Sequence, residues 1–389
     1  MKLLSKELVE RYKSGRDVVP GFVTYIGKKE PVLMHCHGWQ DYSDAYDDYV
    51  ITISRDNGKT WSEPCLQWKS AVVPEGKVRY IEPAAFFDRD TEKLLVVTDK
   101  TLYPGDRLDV NLPGGTTLDI YHPGSDLWEP RVDLTVSGKR SPEMSFCFPI
   151  KTSRGRVIFP GQDKLVDEAE KPVHYKGCWS PAGMIVNLLG DYRPDGTIEW
   201  KTSRPVIPDL EKTSRGFYEP AMAELADGRL AMILRGDNSR FPEKPGCKWV
   251  SFSEDDGEVW SEAIPLPFTG GKMLESGSSG SALFRSIKNG KLYWIGNLCV
   301  YGERAKGNAP RNSLSIAEIQ EKPFALKKDT IWVIDEKGFN DSPDLMLSNF
   351  RYYQDRITGD VVLYITRLAE KGRERWKEGD YYRLRIEIG

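Results

Sequence analysis

A turn followed by a short apolar strand recurs along this chain at nearly even spacing, and that recurrence constrains the fold more than any other feature. The turns fall at Gly27, Asp90, Gly155, Gly228, Gly290 and Gly359, at intervals of 63, 65, 73, 62 and 69 residues. Each leads into an apolar run, among them KLLVVT at 93–98, RLAMILR at 229–235 and DVVLYI at 360–365. Runs of four to eight apolar residues bounded by Gly, Pro, Asn and Asp are strand signals, and helical periodicity is absent after residue 18. A self-similar period is sought before any other assignment, because it defines the structural unit. Units of 60–70 residues suit four-stranded blades of a β-propeller. The expected fold is therefore all-β, a six-bladed propeller in one domain spanning 1–389. Matching strands upstream of the turns (RYIEPAAFF, FYEPAMAEL, SGSALFRSI and FRYYQDR among them) are expected to be innermost. The alternating segment 381–388 is expected to close the ring, removing an exposed edge.

Composition removes several classes. With 55 Lys and Arg against 58 Asp and Glu, the net charge is −3, and no basic footprint for nucleic acid exists. No window approaches the run of about 20 apolar residues that a membrane helix needs. Eleven Trp, 18 Tyr and 14 Phe are too much apolar surface for a disordered chain. Six Cys are scattered without a CxxC pair. The opening MKLLSKELVERYKSG has no signal-type apolar region, so a cytoplasmic location is expected for the chain as given, or a secreted one if a leader was trimmed. Leu4, Leu8 and Tyr12 repeat at helical spacing and predict a short amphipathic helix within residues 1–17.

Two segments share an unusual pattern: Ser54-Arg-Asp56-Asn-Gly58-Lys-Thr60-Trp61 and Ser253-Glu-Asp255-Asp-Gly257-Glu-Val259-Trp260. In each, Asp can cap backbone N–H groups, Gly can take positive φ, and Trp can pack under the loop. A poorer relative is Asp195-Gly-Thr-Ile-Glu-Trp200. This S-x-D-x-G-x-T-W pattern is the Asp-box, or bacterial neuraminidase repeat, and over residues 18–388 the chain resembles the sialidase superfamily. The resemblance implies a six-bladed propeller with a site at the mouth of its central channel. It also implies an Asp acid/base, a Tyr nucleophile activated by Glu, and arginines gripping a carboxylate. Sialidases are an exception to the two-carboxylate scheme of glycosidases, and guanidinium forks suit carboxylates.

Carried over position by position, the likeness is uneven. Val18-Val19-Pro20 stands where the family has Arg-Ile-Pro, so the first arginine is missing, Arg16 lies two residues away, and a divergent member is implied. The acidic stretch before the first Asp-box offers Asp41, Asp44, Asp47 and Asp48, with strand register favouring Asp44 as acid/base. Glu219, in Arg215-Gly-Phe-Tyr218-Glu219-Pro220, fits the activating glutamate. Arg235 and Arg311 fit the second and third arginines, and Tyr352, beside Tyr353, the nucleophile. Arg79-Tyr80-Ile-Glu82-Pro83 echoes the Glu219 segment, as does Arg140-Ser-Pro-Glu143. Such pairs suit either a polar channel mouth or ion pairs between blades.

His35-Cys-His37 puts two imidazoles on one face of a strand. A metal site with Asp41 is conceivable, but a substrate contact through His37 is preferred. Trp39, Tyr80 and Tyr218 could stack on pyranose rings. LPGGTT and SGSSGS lack phosphate-loop context and read as turns. The expected activity is exo-acting hydrolysis of a terminal acidic sugar, with Asp44, Glu219 and Tyr352 catalytic, and Arg235, Arg311, Arg79, His37 and Tyr218 binding substrate. No cofactor, metal, nucleic acid or membrane partner is expected. The alternatives are a propeller lyase or differently equipped glycosidase acting on uronates, and a non-catalytic carbohydrate-binding propeller.

Overall fold

Alternating apolar residues become strands because every second side chain then reaches a core, while the backbone satisfies itself against its neighbours. The computed structural model describes residues 1–12 and 16–389. Among these, strands carry the structure, and the helical content is three 3₁₀ turns of three residues each. Four sheets of four or more strands are each built from one continuous stretch of chain, a fifth is interrupted by a two-stranded ribbon, and a further four-stranded sheet joins the chain's two ends. The equal four-stranded units that the spacing predicts do not form throughout: one sheet has seven strands, one has five, and one ribbon has two. The chain divides into two compact units, residues 1–144 with 349–389, and residues 145–348.

In the first unit, Asp17–Tyr25, Leu33–Gln40, Tyr46–Ser54 and Cys65–Trp68 form a meander. The seven-stranded sheet follows, centred on the long hairpin of Gly76–Asp88 and Lys93–Pro104. Phe22, Met34, Tyr49, Trp68, Leu94 and Val96 pack as one core cluster between these sheets.

The amphipathic helix expected at the N-terminus is instead a strand, Lys2–Glu10, paired antiparallel with Tyr381–Glu387. A helix of that length is marginal in water, whereas the edge of Tyr381–Glu387 offers it a full ladder. Residues 13–15 of the expected helix lie outside the described residues. The segment 381–388 forms the strand Tyr381–Glu387, which lies between Val361–Thr366 and the N-terminal strand, so that one sheet joins the chain's two ends.

In the second unit, Tyr218–Glu224, Leu230–Arg235, Lys248–Ser253 and Ile264–Pro265 form one meander. Ser281–Arg285, Leu292–Asn297, Ser313–Glu321 and Phe324–Leu326 form another, with Trp332–Glu336 added to Ser313–Glu321. Ala221, Ile233, Val250, Leu283, Trp294 and Ala317 fill the space between them. The turn at Ser253-Glu-Asp255 behaves as its composition dictates. The Ser253 hydroxyl donates to Asp255 (2.8 Å), Val259 N–H donates to Asp255 (2.9 Å), and the Trp260 indole N–H donates to the Gly257 carbonyl (2.9 Å). Gly257 has φ 90° and lies against Ile158 and Leu230. The turn at Asp56 repeats the pattern, with N–H groups of Lys59 and Thr60 and the Thr60 hydroxyl donating to the carboxylate.

Candidate functional site

Strand register gathers a polar row at one end of the Tyr218–Glu224 sheet. Tyr218 lies opposite Arg235, and Arg235 lies opposite Lys248. Directly opposed residues of an antiparallel ladder share a face, so these side chains stand together. Glu219 joins them through a register break between Tyr218 and Ala221, where its φ is 46°. A left-handed conformation is costly for a residue with a Cβ, and the following Pro220 narrows the backbone choices further. Such strain persists only where surroundings hold it, and it concentrates at functional sites. Here Glu219 N–H donates to the Gln162 side-chain carbonyl (2.7 Å), and the carboxylate is ion-paired with Arg235.

Arg235 is anchored on both other sides, donating from Nε to the Ser278 hydroxyl (2.8 Å) and from a terminal nitrogen to Asn308 (3.1 Å). Lys248 is buried and donates to the carbonyl and the hydroxyl of Ser279, the latter at 3.1 Å. Burial is the main cause that lowers its ammonium to about 7. Glu219 pulls it upward, while Arg235 and Arg311 push it down. Arg311 donates to the Ser278 carbonyl and to the Ser348 hydroxyl (3.3 Å). The Gly/Ser-rich stretch that reads as a plain turn in the sequence is therefore the collar of this site, supplying acceptors to Arg235, Lys248 and Arg311. Gly280 closes it: a Cβ there would stand 2.8 Å from Glu219 Oε2 and 2.4 Å from the Phe146 ring.

Four sequence-predicted residues (Glu219, Tyr218, Arg235 and Arg311) thus fall in the second unit. Glu219, Tyr218 and Arg235 are in mutual contact or register, and Arg311 shares the Ser278 anchor with Arg235. The hydroxyl of Tyr218 is spent on the Pro181 carbonyl, and its ring lies 5.9 Å from the Arg235 guanidinium.

The other four lie in the first unit. Asp44 is exposed in a turn at φ 58°, accepting from the Ser43 hydroxyl at 3.3 Å. Tyr352 is on Phe350–Gln354, and burial pushes its phenol upward, away from the phenolate that attack requires. Arg79 is wholly buried and spends its guanidinium inside the protein. It donates to the Tyr46 carbonyl and Asp106 (2.7 Å each), with Asp41 and Asp47 at 3.7 and 3.8 Å. His37 borders a cavity of about 260 Å³ with His35, Trp61, Tyr364 and Arg383. Burial lowers its imidazole to about 4. His35 pairs with the Tyr381 hydroxyl at 2.9 Å. Among the described residues no cluster of His, Cys, Asp and Glu has the makings of a metal site.

Sequence reasoning missed Lys248, and it missed Asp99. Asp99 is buried and accepts from Met144 N–H (2.9 Å). Burial, then Glu143 and Glu82, hold its carboxyl well above the usual range. Glu82, in the echoing Ile-Glu-Pro segment, has φ 49° and accepts from the Tyr46 hydroxyl at 3.1 Å. The repeated dipeptide Glu-Pro was the available signal.

No protein-family model matches this chain, and no curated protein does. Solved structures do. The K499G mutant of NanB sialidase from Streptococcus pneumoniae aligns with TM-score 0.65 at 12% identity, covering 95% of this chain and 68% of that one. The α-L-arabinanase of Penicillium chrysogenum complexed with arabinobiose aligns at 0.59 and 12%, covering 100% and 98%. The GH93 α-L-arabinofuranosidase of Fusarium graminearum with arabinobiose gives 0.59 and 12%, covering 99% and 98%. At these identities the likeness defines the fold: a β-propeller of the sialidase-like kind.

Proposed function

We propose that this chain is a glycoside hydrolase acting at a chain end, with Glu219 as a reactive carboxylate and Arg235 and Arg311 as substrate anchors. One observation carries the reading: a glutamate at φ 46° before a proline, ion-paired with an arginine that two further side chains fix. Strain of that kind needs a purpose. The similar structures include a sialidase, an arabinanase and an arabinofuranosidase, which supports carbohydrate as the substrate class. The concentration of cations around one carboxylate favours an acidic sugar over a neutral one.

The test is a screen of aryl glycosides and acidic oligosaccharides with wild type, Glu219→Gln, Asp44→Asn and Tyr352→Phe. Loss of a general base or nucleophile costs about 10²–10⁴ in rate, so Glu219→Gln is expected to fall by at least the lower figure. Asp44→Asn and Tyr352→Phe examine the roles that the resemblance implies for those two residues. If Glu219→Gln keeps wild-type rate on a substrate that is turned over, the reading fails. A product absorbing in the ultraviolet through an unsaturated uronate would point instead to lyase chemistry, and sugar binding without turnover to a non-catalytic propeller.

A further inference from the structure

Arg215 is a buried charge of the second unit. It is only 6% exposed, yet its one hydrogen bond among the described residues runs from Nε to the Ser180 hydroxyl, at 2.8 Å. Among the described residues no carboxylate lies within ion-pair distance of it. Glu219 is committed to Arg235, and Asp237 is committed to Ser214 and Ser239, with hydrogen bonds of 2.5–2.9 Å. A buried guanidinium without an anion is costly, because desolvation is not repaid by an opposite charge. Rings flank it instead, with its guanidinium carbon 4.7 Å from the centroid of Trp179 and 5.3 Å from that of Tyr218.

Trp179 itself is 59% exposed, although indole is among the side chains that gain most from burial. Its position is fixed by neighbours. Ser180 holds Arg215, the Arg215 carbonyl accepts from Gly183 N–H at 2.8 Å, and the Tyr218 hydroxyl donates to the Pro181 carbonyl. Gly183 permits this approach, since a Cβ there would stand 2.4 Å from the Phe217 carbonyl oxygen and 2.8 Å from the Tyr218 ring. The segment 179–183 therefore presents an indole face beside a guanidinium whose terminal nitrogens make no hydrogen bond among the described residues.

We propose that Arg215 and Trp179 form an anionic-sugar subsite next to Glu219. The guanidinium takes the carboxylate or sulfate ester of the substrate, and the Trp179 face covers the apolar side of the sugar ring. The geometry suits both halves: an Arg fork meets two oxygens of a planar or tetrahedral anion, and aromatic faces pack on ring C–H groups. Burial, then the nearby positive Arg235, lowers the guanidinium against the opposing pull of Tyr218, Asp237 and Glu219. The subsite deepens the glycosidase reading and rests on it for the identity of the ligand as a sugar. Its test does not depend on turnover.

The experiment is isothermal titration of the full chain with glucuronate, galacturonate, N-acetylneuraminate and glucose 6-sulfate, each against glucose or galactose. At least one anionic sugar is expected to bind tenfold or more tightly than the neutral sugars. The sugar acids and the sulfate separate the two possible anions. Arg215→Gln is expected to bring the anionic sugar within twofold of the neutral one, and Arg215→Lys to keep part of the preference. Trp179→Ala, at an exposed position where folding is not at stake, is expected to weaken the preferred anionic sugar by fivefold or more. Absence of any preference in wild type, or an unchanged affinity in Trp179→Ala, overturns the subsite. Glu219→Gln separates the two ideas. If it retains the anionic preference while wild type turns over nothing, the subsite stands and the hydrolase reading falls. If wild type hydrolyses a glycoside without the preference, the reverse holds.

Discussion

Replacing Asp17 by Asn should stabilise the protein more as the pH rises, by an amount that follows from the residue's burial. Asp17 opens the strand Asp17–Tyr25 and is fully buried. One carboxyl oxygen accepts from Gly379 N–H at 3.0 Å, and the other finds no partner among the described residues. Burial raises its carboxyl to about 7; the Gly379 hydrogen bond and Lys377 oppose the rise, and Glu378 adds to it. The sign follows from linkage. A group whose folded value lies above its unfolded one contributes stability present below the unfolded value, about 3.9, and lost as the pH rises through about 7. At about 1.4 kcal/mol per unit, the cost relative to a neutral group is roughly 1.5 kcal/mol at pH 5 and roughly 4 kcal/mol at pH 8. Asn keeps the acceptor for Gly379 and carries no charge. Urea unfolding of wild type and Asp17→Asn at both pH values isolates this group, because every other titration cancels in the difference. The expected gain from the substitution grows by about 2–3 kcal/mol between pH 5 and pH 8. Parallel stability curves over that range would refute the argument, since an Asp that ionises freely in the folded state gives no such divergence.

Gly280→Ala drives a methyl group into the Phe146 ring and Glu219 Oε2, so turnover should fall at least tenfold while circular dichroism stays that of the wild type. Lys248→Met removes an ammonium that burial lowers to about 7. A lysine lowered on folding loses its stability contribution as the pH falls from about 10.5 through 7, so the variant's advantage in urea unfolding should widen from pH 10 to pH 7. Trp294→Ala empties the centre of the core between the two meanders of the second unit, at a cost of about 3–5 kcal/mol by denaturant titration. Trp294→Phe should cost less, because the indole N–H that it removes has no partner among the described residues.

The strands were legible because their signals are local. Gly228 after Asp227 marks the hairpin between Tyr218–Glu224 and Leu230–Arg235, and it takes φ 85° there. The N-terminal strand was not legible, because Leu4 and Leu8 satisfy a helical spacing and what overrides it is the distant edge at Tyr381–Glu387. Glu219 and Arg235 could be found because strand starts and hairpin turns fix them within one meander. Lys248 could not, since nothing in KWVSFS tells a buried ammonium from a surface one; its acceptors are the carbonyl and hydroxyl of Ser279, about thirty residues on, in a stretch whose composition signals only a turn. Arg79 illustrates the converse. It too lies shortly before a Glu-Pro dipeptide, three residues from the glutamate where Arg215 lies four, and the folded neighbours show where each charge is met.

Arg79 and Arg215 also bear on the subsite. The chain twice places a buried arginine shortly before a Glu-Pro dipeptide, and twice holds the glutamate at positive φ, 49° at Glu82 and 46° at Glu219. Each glutamate sits at a register break in its own sheet. At the first copy the arginine is ion-paired with Asp106, with Asp41 and Asp47 near, so its charge is met inside the protein. At the second copy the same frame gives Arg215 a serine and two aromatic faces. Asp237 and Glu219 act on Arg215 from a distance, and among the described residues neither forms an ion pair with it. A buried cation without an ion pair is stabilised once an anionic ligand arrives, so ligand binding should raise the melting temperature of wild type more than that of Arg215→Gln. Equal shifts in the two proteins would mean that Arg215 takes no part in holding the anion.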